Sequence, residues 1–374
     1  MFIGICGSIC AGRSTIAQYL VAHHGFTRLS LDADASQHPE GQALSRAVTD
    51  ATAAIASTAL LSRLTITSPR SKQSQSFPSV DALLEFVTKR WRERWVTTDV
   101  PNEAVLDMYA RRPFFLLISV DAPLTVRWQR FQERSGEQPE PEDPMTAETT
   151  DADAAAVAIT NFVALSDILL YHPVDGQLPL MSRATVRLLN TSSSLAHLYA
   201  TLGNLDLLNP DRLRPSWDSY FMSLASLAAQ RSNCMKRRVG CVVVRDKRVV
   251  STGYNGTPRG LRNCGEGGCG RCNEGQGSGH GLATCLCIHA EENALLEAGR
   301  ERLREGAVLY CDTCPCLTCS IKIVQVGVSE VVYSQGYSMD GDTAAVFSEA
   351  GVRLRQFVPP ANGLIHLEKM DLYK

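Results

Sequence analysis

Residues 287–292 read CIHAEE and residues 314–319 read CPCLTC. Between them they offer one imidazole, His289, and two thiols three residues apart, Cys316 and Cys319. Imidazole and thiolate are the donors that tetrahedral zinc prefers. Three protein ligands leave the fourth position open, which marks a catalytic ion rather than a structural one. An ion with such an opening lowers the pKa of water toward neutrality. Glu291, two residues past His289, is placed to serve as general acid and base there rather than as a fourth ligand. A purely structural zinc knuckle would explain the cysteine spacing but not Glu291.

The elements that must carry these side chains are legible. HAEENALLEAG (289–299) has few β-branched residues and ends on Gly299, so it reads as a helix with His289 and Glu291 in its first turn. AVLYC (307–311) reads as a buried strand. CLTCSIKIVQVG (316–327), preceded by Pro315 and closed by Gly327, reads as a second helix whose first turn presents Cys316 and Cys319 to one side. The ligands thus sit at two helix N-termini, where unpaired N–H groups and the positive dipole end favour thiolate over thiol.

The 374 residues suffice for two domains, and cysteine usage divides them. Cys6 and Cys10 are the only cysteines in the first 233 residues, whereas the other 11 lie between Cys234 and Cys319. LLNPDRLRPSW (207–217) is polar with two prolines, so the boundary is expected near 206–216, giving domains at 1–206 and 216–374. The formal net charge of -2 supplies no basic field for a polynucleotide, which favours a small ligand. No apolar run is long enough to span a bilayer, and no charged segment precedes MFIGICGS, so neither membrane nor secretion is expected. Clustered cysteines then point to a reducing compartment, cytoplasm or nucleus, and to metal rather than disulfides.

The first half opens with MFIGIC as a strand, then GSICAGRST, then a helical IAQYLVAHHG. Strand, glycine-rich turn and helix is the context of a phosphate-binding loop. Gly7, Gly12 and Ser14 fit that pattern, but Arg13 stands where the lysine belongs, and the exchange is not conservative. FFLLISVDAP (114–123) reads as a buried strand and TVRWQRFQERSG as a basic helix. This half resembles the nucleoside-monophosphate and dephospho-coenzyme A kinases, which implies an α/β fold with a parallel sheet. SPRSKQSQSFPS (68–79) and the acidic GEQPEPEDPMTAETTDAD (136–153) read as solvated loops. The acidic one falls where such kinases carry an arginine-bearing lid, so the half is expected to be catalytically inactive.

His-x-Glu followed by Pro-Cys-x-x-Cys is the signature of the zinc deaminases. WDSYFMSLASLAAQRSNCMKRRVGCVVVRDKRVVSTGYNGTPRGLRNC (217–264) reads as helix, strand, turn, strand and loop. With CIHAEENALLEAG, CDTCPCLTC and VVYSQGYSMD (331–340), it resembles the deoxycytidylate deaminases, fungal forms especially, over 216–358. The resemblance implies a cytidine-deaminase-like three-layer α/β/α domain with a mixed sheet, and hydrolysis of dCMP to dUMP and ammonia. It implies a homohexamer activated by dCTP and inhibited by dTTP, each with Mg2+. It assigns His289, Cys316 and Cys319 to Zn2+, Glu291 to proton transfer, and Asn255 and Tyr337 to the nucleotide. The alternative for Asn255 is a turn residue before Gly256, and for Tyr337 a core or turn residue. Lys236, Arg237 and Arg238 could meet phosphates or form a solvated face.

NCGEGGCGRCN sets glycines around closely spaced cysteines, as a metal loop needs. Related deaminases hold a second, structural Zn2+ in this region. By position Cys234, Cys264 and Cys269 match that site, with Cys272, Cys285 or His280 as the fourth ligand; buried free thiols are the alternative. Cys241, Cys311 and Cys314 read as packing. Two rivals remain. A tRNA or single-strand deaminase would need a basic groove and stacking aromatics. A zinc-stabilised nucleotide sensor would use the first half as its output.

Overall fold

A computed structural model describes residues 1–32, 74–135, 151–277, 280–303, 305–336, 340–360 and 363–367. The chain forms two compact units, Met1–Leu213 with Ala361–Lys374, and Arg214–Pro360. The second unit therefore ends before the expected residue 374, because the last described strand belongs to the first unit's sheet.

Among the described residues, the first unit is built on seven parallel strands: β1 (Phe2–Gly7), β2 (Thr27–Leu31), β3 (Ser74–Phe77), β4 (Trp95–Thr97), β5 (Phe115–Asp121), β6 (Val186–Leu189) and β12 (Gly363–His366), ordered β12-β6-β5-β1-β4-β2-β3. Every residue of β1 is buried. Its odd residues Ile3 and Ile5 enter one core and its even residues Phe2 and Cys6 another, which is the period-two signature of a strand covered on both faces. The expected helix follows at Arg13–His24.

Two expectations change here. Residues 74–77, read as part of a solvated loop, form β3 at the sheet edge, with Phe77 buried. Polar composition concealed this strand because an edge strand needs few buried side chains. Of the acidic segment, 136–150 lies outside the described residues, while Asp151 opens a helix to Tyr171.

The second unit holds a mixed sheet of β7 (Gly240–Arg245), β8 (Arg248–Tyr254), β9 (Val308–Thr313), β10 (Glu330–Gln335) and β11 (Arg353–Gln356), ordered β11-β10-β9-β7-β8. β7 is antiparallel to β8 and β9, and β9, β10 and β11 run parallel. Asp246 and Lys247, both at positive φ, make the two-residue hairpin turn between β7 and β8. Val242 and Val244 pack with Phe221, Met222 and Ala225 of the helix Trp217–Ala229. Cys241 and Val243 pack on the other face with Ala290 and Ala294 of the helix Ala290–Ala298. Helices therefore cover both faces.

Two glycines set those helices. A Cβ on Gly240 would lie 1.9 Å from the Ala225 carbonyl oxygen, and one on Gly253 would lie 2.1 Å from that of Ala290. Neither contact is possible for a larger residue, so each helix rests on strand backbone. Among the described residues, no helix is long and apolar enough to cross a membrane.

Candidate metal centre and catalytic site

His289 is the N-cap of the helix Ala290–Ala298, one residue outside the turn expected for it. Its carbonyl accepts the Asn293 N–H, and its ring makes no capping bond. Cys316 is likewise the N-cap of the helix Leu317–Gln325, its carbonyl accepting the Ser320 N–H. Both residues have extended dihedrals, as N-cap residues do.

Those side chains meet. Nδ1 of His289 lies 3.4 Å from Sγ of Cys316 and 3.4 Å from Sγ of Cys319. A tetrahedral zinc with Zn–S of about 2.3 Å and Zn–N of about 2.0–2.1 Å separates sulfur and nitrogen by about 3.5 Å. Donor chemistry and spacing therefore fit zinc. The site is also braced. Ser320 Oγ donates to the Cys316 carbonyl at 3.0 Å, and Thr343 Oγ1 to the Pro315 carbonyl at 2.9 Å. Asn293 Nδ2 donates to the Tyr254 carbonyl at 2.8 Å, and Ser251 Oγ to that of Ala294 at 2.8 Å, tying the His289 helix to β8.

The electrostatics suit a cation. The hydrogen bond from Cys319 is the largest of the effects that hold Cys316 down to about 3, with His289 and Thr318 adding to it. Cys319 is pushed far above the ordinary thiol range, first by that same bond and then by burial. The hydrogen bond with Cys316 raises the His289 pKa. Glu291 is 4% exposed, and burial pushes its carboxyl up to about 7. Burial also pushes Asp312, on β9, up to about 6; it accepts the Gly240 N–H at 3.2 Å. Neither Asp312 nor Thr318, whose hydroxyl is 3.1 Å from Cys316 Sγ, carries a motif that sequence reading could have used.

Asn255 is buried and heavily engaged. Its Oδ1 accepts from Ser232 Oγ at 2.7 Å and from the Val239 N–H at 2.9 Å, while Nδ2 donates to the Arg237 carbonyl at 2.7 Å. One Nδ2 hydrogen remains for a ligand. Lys236 Nζ donates to the carbonyls of Gln276 and Gly277, and Arg237 Nη2 to Gln335 Oε1 at 3.3 Å, while Arg238 is exposed. Tyr337 lies outside the described residues. Cys241 and Cys311 pair across β7 and β9 in the core.

The five cysteines expected at a second site, Cys234, Cys264, Cys269, Cys272 and Cys285, do converge, and Cys287 joins them. The place of Cys287, two residues before His289, gives no local sign of which cluster it serves. The His280 side chain is in neither cysteine group among the described residues; its carbonyl accepts from Arg271 Nε at 2.7 Å.

In the first unit, Gly7 (φ 139) ends β1, and Gly12 (φ 110) caps the helix that begins at Arg13. Ser8 Oγ donates to Asp121 Oδ1 at 2.5 Å. The Ala11 carbonyl accepts from Asn190 Nδ2 at 2.8 Å and Arg130 Nη1 at 3.3 Å. The turn between β1 and this helix is thus pinned from outside, with Arg13 and Ser14 opening the helix.

Residues 215–335 match the family model for the cytidine and deoxycytidylate deaminase zinc-binding region. The chain is 42% identical over 362 residues to a deoxycytidylate deaminase of Schizosaccharomyces pombe, covering 97% of this chain and 99% of that protein. It is 44% identical over 286 residues to one of Saccharomyces cerevisiae, covering 74% and 85%. A solved dCMP deaminase of the cyanophage S-TIM5, in complex with dCMP and dUMP, is 30% identical, covering 38% of this chain and 98% of that one at a TM-score of 0.32.

Proposed function

The chain belongs to the deoxycytidylate deaminase family, and from that membership we propose that His289, Cys316 and Cys319 hold zinc while Glu291 moves the protons of the reaction. The reaction is hydrolysis of dCMP to dUMP and ammonia, which supplies dUMP for dTMP synthesis. The observation that carries the site assignment is the 3.4 Å approach of His289 Nδ1 to both sulfurs, beside a buried carboxyl.

Zinc held by these three side chains would supply an acidified water near neutral pH. A carboxyl titrating near 7 can both take and give a proton at that pH. Glu291 takes one proton from the attacking water and gives it to ring N3. It then carries the second proton to the exocyclic nitrogen, so that the C4–N bond breaks and ammonia leaves. Asn255, with one N–H remaining, contributes a single donor to the nucleotide, and the family resemblance supports assigning Tyr337 to the nucleotide as well.

The enzyme is a homohexamer, activated by dCTP and inhibited by dTTP, each with Mg2+; the resemblance to the fungal enzymes supports this. The first unit is a kinase-like P-loop domain without phosphotransfer, the second a three-layer deaminase domain. The experiment is direct: purified protein is given dCMP, and ammonia and dUMP are measured with and without each effector. Stoichiometric release of both products is expected. Deamination of a tRNA or single-stranded DNA base in preference to dCMP would overturn the substrate assignment.

A further inference from the structure

Six cysteines outside the catalytic site lie in one cluster. Cys234, Cys264, Cys272 and Cys287 form one set whose sulfurs all lie within 4.8 Å of one another, and Cys269, Cys272, Cys285 and Cys287 form a second. Cys272 and Cys287 belong to both. We infer that this is a binuclear thiolate site in which two zinc ions share Cys272 and Cys287, in place of the single structural ion that the sequence suggests.

The geometry is that of two tetrahedra joined along an edge. Zn–S bonds of about 2.3 Å put neighbouring sulfurs of one tetrahedron about 3.8 Å apart. The observed separations are 3.8 Å for Cys234–Cys272, 3.9 Å for Cys269–Cys285, and 4.0 Å for both Cys272–Cys285 and the shared pair Cys272–Cys287. One tetrahedral ion takes four sulfurs, so either set alone strands two cysteines. An ion on the first set would leave Cys269, fully buried, and Cys285 facing each other without a ligand role. Two ions sharing an edge use all six.

The surroundings suit thiolates. Six thiolates and two divalent ions leave two negative charges, and donors face the unshared sulfurs. The Met235 N–H donates to Cys264 at 3.5 Å, the Leu286 N–H to Cys269 at 3.4 Å, and Arg271 Nη1 to Cys285 at 3.7 Å. Gly268 lets the loop fold this tightly, since a Cβ there would lie 1.8 Å from the Arg262 carbonyl oxygen.

The site ties together three stretches: the approach to β7 through Cys234, the loop after β8 through Cys264, Cys269 and Cys272, and the approach to His289 through Cys285 and Cys287. Ile288, between Cys287 and His289, exchanges backbone hydrogen bonds with Gly256 at 2.9 and 3.2 Å. The cluster therefore fixes the segment that delivers His289, independently of the chemistry at Glu291.

The test is metal content and spectroscopy on the full chain. The unmodified protein should carry three zinc ions per chain, and Cys316→Ser, which disables the catalytic site, should keep two. Cys234→Ser and Cys285→Ser should each lose one. After replacement by 113Cd, NMR should show two thiolate-bound resonances split by each other, because shared sulfurs transmit metal–metal coupling. That measurement needs no variant to fold. One zinc retained in Cys316→Ser, or cadmium resonances without mutual splitting, would overturn the inference.

Discussion

A Cβ on Gly253 would fall 2.1 Å from the carbonyl oxygen of Ala290, so β8 and the helix capped by His289 meet backbone to backbone. The ligand's position is thus set by a residue without a side chain. Gly253→Ala should push that helix off the sheet, costing about 1–3 kcal/mol as overpacking does. It should also weaken zinc retention, because His289 moves while Cys316 and Cys319 stay. Thermal denaturation and zinc titration check this; unchanged values in both would show that the helix position does not depend on the glycine.

Glu291→Gln should keep the fold and the zinc and lose turnover by about 10²–10⁴-fold, the scale of general acid–base help. Gln matches the carboxylate in shape but carries no titrating proton. Steady-state dCMP turnover with zinc analysis on the same sample decides it. Activity within a few-fold of the unmodified enzyme would remove Glu291 from the mechanism.

Asp218, in the first turn of the helix Trp217–Ala229, accepts Arg355 Nη1 at 2.7 Å and Nη2 at 3.1 Å, and the Tyr310 hydroxyl at 2.9 Å. The Arg355 hydrogen bonds hold its carboxyl below the usual range against the opposing effect of burial. A depressed carboxylate stabilises the fold above its unfolded pKa, about 3.9, and loses that contribution as pH falls through the folded value. Asp218→Asn should therefore lower the melting temperature at pH 7 and close the gap with the unmodified protein toward pH 3. Both partners are partly exposed, so the effect should be about 1 kcal/mol or less. A gap that is constant with pH would assign the loss to packing.

The first unit should transfer no phosphoryl group from ATP to dCMP or dephospho-coenzyme A. Its loop keeps the glycine geometry, but Arg13 stands in the lysine position. A radiolabelled ATP assay reads this. Phosphorylated product that disappears in Arg13→Ala would reveal a second enzyme in the chain.

The chemistry of the main site is written in short segments of the chain. Cys316 and Cys319 are three apart at a helix start, and His289 and Glu291 sit at another, because capping, helix termination and ligand type are local properties of short segments. The β1 strand and its glycine turn were legible for the same reason. Other features depend on which distant segments meet, and those emerge from the fold alone. Local dihedral preference could not say that Cys287 serves a cluster spanning Cys234 to Cys285, nor that two of six sulfurs belong to both sets. Nor could it say that the Asn255 carboxamide is mostly committed to residues 232–239. The strands β3 and β12 were hidden likewise: each is short, and each exists because a sheet edge elsewhere in the chain offers unpaired backbone groups to fill.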